Sequence, residues 1–315
     1  MSEPAQPYAG LHPERVLDAI AAAGLAPDGR LLALNSYENR VYQVGLEDGS
    51  FIVAKFYRPA RWSDAAIGEE HAFTLELAAA ELPVVAPLSC AGHTLLRRGG
   101  FRYTLYPRRG GHAPVLESAD TLAWLGRLLA RVHEIGARQA FRARGALDVE
   151  SFLRQPAAAV LASGLLPAPR ERVYRAAIAR LDAVLGACFD AVAPRRLRLH
   201  GDCHAGNVLW AESGPALVDF DDARMGPAVQ DLWMLATDAI AMEQLLEGYE
   251  QMRPFDRAEL ALVPALRALR QVHHAGWIAA RWHDPAFPRA FPFAGEARWW
   301  DEHLADLEAL IDSLE

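Results

Sequence analysis

His200–Asn207 reads HGDCHAGN, and Ala216–Ala223 follows as ALVDFDDA. Leu197–His200 has the composition of a short strand leading into the octet. Val208–Trp210 and Ala216–Val218 form a hairpin pattern with its turn near Glu212–Gly214. Folding that hairpin about Ser213 sets Asn207 opposite Asp219, so an amide oxygen and a carboxylate converge at one end. Hard oxygen donors of this kind suit Mg²⁺, which keeps several waters and binds substrate phosphates. Asp202, on the loop leading in, is placed to accept a proton from an attacking hydroxyl. The pattern therefore predicts phosphoryl transfer.

Outward from this centre, a phosphate-binding cation is needed. Lys55 lies in Phe51–Tyr57 (FIVAKFY), where a desolvated ammonium requires a partner. Glu69 and Glu70, on the helix expected over Ala65–Ala80, both qualify. The pair fits one recognised arrangement around ATP. The segment Ser36–Asn39 (SYEN) joins the strands expected at Leu31–Asn35 and Arg40–Leu46. It is read as a loop over the phosphates, helped by the Ser36 hydroxyl because it has no glycine. Further strands are expected at Val84–Leu88, Thr94–Arg98 and Phe101–Pro107. After a linker rich in glycine and proline, apolar stripes such as Leu122, Leu125, Leu129 and Val132 predict helices. From Asp231 onward helices dominate, with breaks at Pro254, Pro264 and Asp284–Phe293.

Simpler readings compete with each of these residues. A lone strand lysine snorkels to solvent, and a Glu pair is a solvated helix face. Asp221 and Asp222 read as a turn or an N-cap, and Asp231 as a cap or an anchor for the preceding loop. His200 and His204 lack the further ligands of a zinc site, so a structural hydrogen bond is expected for His200. Cys203 lacks a marked base and is not read as a nucleophile. The combination of lysine strand, acidic helix, linker and Asp–Asn–Asp spacing carries the functional reading.

Composition bounds the rest. The 315 residues carry 32 Lys plus Arg against 40 Asp plus Glu, a net charge of −8, with 52% apolar and 23% charged residues. That balance argues against broad binding to nucleic acid or anionic membranes. Cys90, Cys188 and Cys203 form neither a disulfide framework nor a zinc signature, which fits a reducing compartment. No apolar run reaches the ~20 residues of a membrane span, and the N-terminus shows no leader pattern. A cytoplasmic protein with no membrane anchor is expected.

HGDCHAGNVLW with LVDFDDARMGPAVQDLW resembles the aminoglycoside phosphotransferase/choline kinase superfamily, whose fold is similar to that of protein kinases. The chain more closely resembles the bacterial stress response kinase A (YihE-type) family. That likeness runs through LNSYENRVYQV (Leu34–Val44), VAKFYRPARW (Val53–Trp62), EEHAFTLEL (Glu69–Leu77), PVVAP (Pro83–Pro87) and RWHDPAFPRAFPF (Arg281–Phe293). It implies an α+β, protein-kinase-like two-lobe fold. Residues 1–107 would form a small antiparallel-sheet lobe for nucleotide, 108–114 a hinge, and 115–315 a larger, mainly helical catalytic lobe.

The implied activity is ATP-dependent phosphorylation of Ser or Thr in proteins, with autophosphorylation, in bacterial stress responses. Asp202 matches the family's base. Asn207 and Asp219 match its magnesium ligands, and Asp219 also an active-site residue. Lys55 matches the nucleotide-binding lysine and Ser36 a position in the ATP-facing loop. Helix phase leaves Glu69 and Glu70 both open as the partner of Lys55, with Glu70 preferred. The cofactor implied is Mg²⁺, with ATP as donor; the partners are protein substrates, with neither nucleic acid nor membrane, and a monomer is expected. A small-molecule kinase acting on an amino alcohol, sugar or aminoglycoside hydroxyl is the alternative. A nucleotide-binding scaffold without catalysis is a third reading.

Overall fold

A computed structural model describes residues 6–315. The first five residues, on which the absence of a leader partly rests, lie outside that range. The chain folds into an N-terminal antiparallel sheet and a larger helical region.

Helix α1 (Pro13–Ala22) precedes strands β1 (Pro27–Leu34), β2 (Arg40–Leu46) and β3 (Phe51–Phe56). Helix α2 (Asp64–Ala79) leads to β4 (Leu96–Arg98) and β5 (Phe101–Pro107), and the sheet order is β1-β2-β3-β5-β4. The period of two along β3 explains its double role. Ile52, Ala54 and Phe56 join Val16, Ile20, Val44, Tyr103 and Leu105 in the core of this lobe. Val53 and Lys55 face the other way, into a cavity. Register sets Lys55 between Val41 on β2 and Thr104 on β5.

Ser63 starts α2 by accepting the Ala66 N–H at 3.1 Å. Ala66, Ile67, Glu70, Phe73, Thr74 and Leu77 make its buried face. Phe73 and Leu77 belong to the core of the helical region rather than to that of the sheet. Positive φ at Glu81 and the following Pro83 close the helix.

The segment 84–88, expected as a strand, is not one. It is extended and bonds in two directions: Val85 N–H to Leu217 O at 3.0 Å, Leu88 N–H to Leu105 O at 2.7 Å. Pro83 and Pro87 lack N–H donors, which prevents a continuous ladder.

The helical region contains α3 (Ala119–Gly136), α4 (Gln155–Ser163) and α5 (Glu171–Val192), then β6 (Leu197–Leu199) and the hairpin β7 (Val208–Ala211) and β8 (Gly214–Leu217). β9 (Arg224–Gly226) pairs with β6. Helices α6 (Gln230–Trp233), α7 (Ala239–Glu250), α8 (Val263–Ala280), α9 (Ala286–Ala290) and α10 (Ala297–Leu314) complete it. Pro264 does not break a helix but sits in the first turn of α8, where its missing N–H costs nothing. Helices α3 and α7 cross closely: a Cβ at Gly126 would meet Leu245 O at 2.0 Å, and one at Gly248 would meet Ala123 O at 2.0 Å.

Candidate active site

The β7–β8 hairpin pairs Val208 with Leu217, and the Val218 N–H bonds to Asn207 O at 3.0 Å. This sets Asn207 beside the start of the turn that carries Asp219. The Asn207 amide nitrogen donates to Asp202 O at 2.9 Å, which fixes the amide plane. Asp219 adopts φ +58, the left-handed region that Asp tolerates better than most residues. Its side chain is about half exposed (54%), toward the cleft.

The loop holding Asp202 is anchored from below. Asp231 accepts the His200 and Gly201 N–H groups at 2.8 Å each, and His133 Nε2 lies 3.1 Å from it. The loop-anchoring role read for Asp231 thus has its geometry. His200 Nε2 meets Val218 O at 2.8 Å, the structural bond expected of it. At Gly201, φ is +87 and a Cβ would meet Asp222 O at 2.2 Å, so a side chain is excluded there.

Lys55 is buried, and three carboxylates surround it. Asp221 lies at 3.0 Å, Asp219 at 3.2 Å and Glu70 at 3.9 Å. Burial alone would depress the ammonium, but Asp221, Glu70 and Asp219 outweigh it and hold its pKa well above the ordinary lysine value. Glu70 has a shorter contact with Arg144, at 3.1 Å. Burial raises the Glu70 carboxyl above the usual range, against the pull of Lys55 and Arg144. Glu69 points elsewhere: it accepts the backbone N–H groups of Arg142, Ala143 and Arg144 at 2.8, 2.9 and 3.0 Å. Geometry therefore separates the two glutamates that helix phase left open.

Asp221 and Asp222 are more than a turn. They occupy a 3₁₀ turn, and Asp221 is buried between Lys55, Arg61 and Asn39. Asp222 pairs with Arg61 at 2.9 Å and Arg224 at 2.7 Å. Burial would raise the Asp221 carboxyl, yet Arg61 and Lys55 bring it down to about 2. The sequence reading missed Arg61, Arg144, Asp221 and Arg270 as site residues. The Asp221-Asp222 doublet was a visible signal; single arginines among 31 in the chain were not. Another signal was available: Lys55 is the only lysine in the chain.

Two cavities meet here. One, of about 370 Å³, is lined by Ser36, Lys55, Glu70, Asn207 and Asp219, with Val41, Val53, Val85, Leu209 and Val218 as apolar walls. Those walls suit a planar base and the polar end suits phosphates. The other, of about 210 Å³, is lined by Asp202, Asp222, Arg224, Arg270, His273, His274 and Trp277. Ser36, Asn39 and Asp219 line both. Asp202 contacts Arg270 Nη1 at 2.6 Å and His204 Nε2 at 3.4 Å. Burial would raise its carboxyl, but His204 and Arg270 hold it down at about 2, against the nearby Asp222 charge.

The phosphotransferase enzyme family model matches residues 30–263. Stress response kinase A of Escherichia coli strain K12 is 42% identical over 307 residues, covering 95% of this chain and 92% of that protein. A Salmonella typhimurium protein named serine/threonine protein kinase RdoA is 42% identical over 305 residues, with the same coverage. The structure of the amicoumacin kinase hAmiN, in complex with AMP-PNP, Ca²⁺ and Ami, shares the fold at a TM-score of 0.69. It is 19% identical and covers 96% of this chain and 92% of that one. The architecture, the full-length likeness and the cavity between sheet and hairpin agree. This chain is a phosphotransferase that belongs to the stress response kinase A group of the phosphotransferase enzyme family.

Proposed function

We propose that the chain transfers the γ-phosphoryl group of ATP to a hydroxyl, and that the acceptor is Ser or Thr of a protein. The carrying observation is the junction of the two cavities at Asp219. A triphosphate in the larger one would run toward an acceptor held at Asp202 in the smaller one. We assign residues 1–107 to the nucleotide lobe, 108–114 to the hinge and 115–315 to the catalytic lobe.

In this reading Lys55 holds the α/β-phosphates, while Glu70 and Asp221 orient its ammonium. Ser36 faces the phosphates from the β1–β2 loop. Asp202 orients the acceptor hydroxyl and takes its proton. The Asn207 amide oxygen and the Asp219 carboxylate form a hard-oxygen pair that fits Mg²⁺. That ion, when bound, neutralises charge on the phosphates. Most of the rate gain comes from positioning and fixed charge.

The name of the Salmonella typhimurium relative, serine/threonine protein kinase RdoA, supports the protein acceptor. A small-molecule hydroxyl is the second reading. It is favoured by the fold shared with an amicoumacin kinase. The test is labelled-phosphate transfer from Mg-ATP, wild type against Asp202→Ala, with a protein acceptor beside amino alcohols and aminoglycosides. Asp202-dependent label on protein Ser or Thr supports the first reading. Label confined to a small molecule replaces it with the second.

A further inference from the structure

Both carboxylate oxygens of Asp202 are engaged. Arg270 Nη1 donates to Oδ1 at 2.6 Å, and His204 Nε2 lies 3.4 Å from Oδ2. A hydroxyl that is to donate to Asp202 must share an oxygen with one of these groups or displace it. Arg270 differs from the other cleft cations. The Arg61 and Arg224 side chains are 13% and 10% exposed, and both are held by Asp222. The Arg270 side chain is 45% exposed, and its one ion pair among the described residues is with Asp202.

Its helix adds to the contrast. Helix α8 contains no Asp or Glu. It lines the cleft with Arg270 and His274, and one turn before Arg270 it carries Arg267, exposed and 5.9 Å over the Trp233 ring. The acids of the opposite wall are already countered: Glu38 by Trp277 and Arg281, Asp221 by Lys55 and Arg61, Asp222 by Arg61 and Arg224. Asp219, also on this cleft, is read as a metal ligand and contacts Lys55, and burial keeps His273 and His274 neutral, so the half-exposed Arg270 is the charged group left to meet a substituent on an incoming acceptor.

We infer that Arg270 selects the acceptor: it recognises a negative group beside the acceptor hydroxyl and, on doing so, releases Asp202 Oδ1 to that hydroxyl. This rests on the reading of Asp202 as the acceptor-orienting carboxylate. Water reaches both partners, the Arg270 side chain being 45% and the Asp202 side chain 27% exposed, so the pair is screened and an incoming anion is able to compete for Arg270. A carboxylate or phosphate offers the guanidinium a two-oxygen partner. A cationic acceptor leaves Arg270 on Asp202 and meets repulsion from it, so selection is both attractive and repulsive. The substrate class is a hydroxyl flanked by an anion, such as Ser or Thr next to Asp, Glu or a phosphorylated residue.

The experiment compares kcat/KM for two serine peptides, identical except for Asp or Lys flanks, with wild type, Arg270→Gln and Arg270→Glu. ATP-induced thermal stabilisation identifies the folded proteins. Wild type should prefer the acidic peptide by tenfold or more, Arg270→Gln should lose the preference, and Arg270→Glu should reverse it, with the KM for ATP unmoved. An equal preference in all three proteins overturns the inference. If wild type phosphorylates neither peptide, the protein-acceptor reading fails instead. The same three proteins are then compared on glycerol 3-phosphate and ethanolamine. A preference for the anionic alcohol that Arg270→Glu reverses supports the role of Arg270, and equal ratios across the three overturn it.

Discussion

Glu69 and Glu70 are neighbours on α2 and bind opposite things. Glu70 reaches Lys55 and Arg144, while Glu69 accepts three consecutive backbone N–H groups at 142–144. One turn of helix is thus pinned to the helical region by one carboxylate and aims the other at the only lysine. Hydrogen bonds to a charged group are worth about 1.5–3 kcal/mol each at best. Glu69→Ala should therefore lower unfolding free energy by roughly 1–3 kcal/mol and raise the KM for ATP, because α2 carries Glu70. Urea unfolding and an ATP titration check both; unaltered values would show that the three bonds carry no net energy.

Asp202→Ala should reduce turnover by about 10²–10⁴ with ATP affinity little changed. Asp202 lines the acceptor cavity and not the nucleotide cavity. Single-turnover phosphate transfer and nucleotide binding separate the two quantities.

Asp219→Ala should damage both, since Asp219 lines both cavities and contacts Lys55 at 3.2 Å. Isothermal titration with Mg-ATP and a turnover assay read the pair. Normal ATP affinity together with normal turnover would remove Asp219 from the site.

Lys55 offers a direct probe, because it is the only lysine in the chain. Because its ammonium is buried and held protonated by three carboxylates, an amine-directed reagent should label the α-amino group first and Lys55 slowly, and saturating ATP should slow Lys55 further. Peptide mass spectrometry gives the result. Lys55→Arg should not restore transfer: a planar fork does not fit the pocket formed by Asp221, Asp219 and Glu70 around a compact ammonium.

Glu259 makes stability depend on pH. It is buried and accepts the Val229 N–H at 2.9 Å, and burial lifts its carboxyl to about 7. The folded state binds the proton more tightly than the unfolded state does. Its contribution is thus fully present below about 4.5 and is lost as pH rises through about 7. Glu259→Gln keeps an acceptor oxygen and no charge. It should stabilise the protein at pH 8 by up to about 3 kcal/mol and change little at pH 4.5. Melting temperatures at the two pH values measure the difference.

The residue chemistry and local spacing of the site were legible in the chain. The apolar run Phe51–Tyr57 singled out Lys55, the hairpin pattern set Asn207 near Asp219, and the loop before Asn207, with the resemblance carried by HGD, marked Asp202. The pattern Val84–Leu88 misled because its apolar, β-branched residues were weighed above the two prolines that bracket them, although the missing N–H donors were legible. Pro83 and Pro87 make that segment a crossing rather than a strand.

By itself the sequence determined which groups are present and how local periodicity orients them: 3.6 residues along a helix, two along a strand. Only the tertiary structure decided that Asp221 and not Glu70 stands nearest Lys55, that Arg144 shares Glu70, and that Arg270 covers Asp202. These partners are 68 to 166 residues apart in the chain. Charges in a low-dielectric cleft choose partners by distance and burial, and both are set by how the lobes pack.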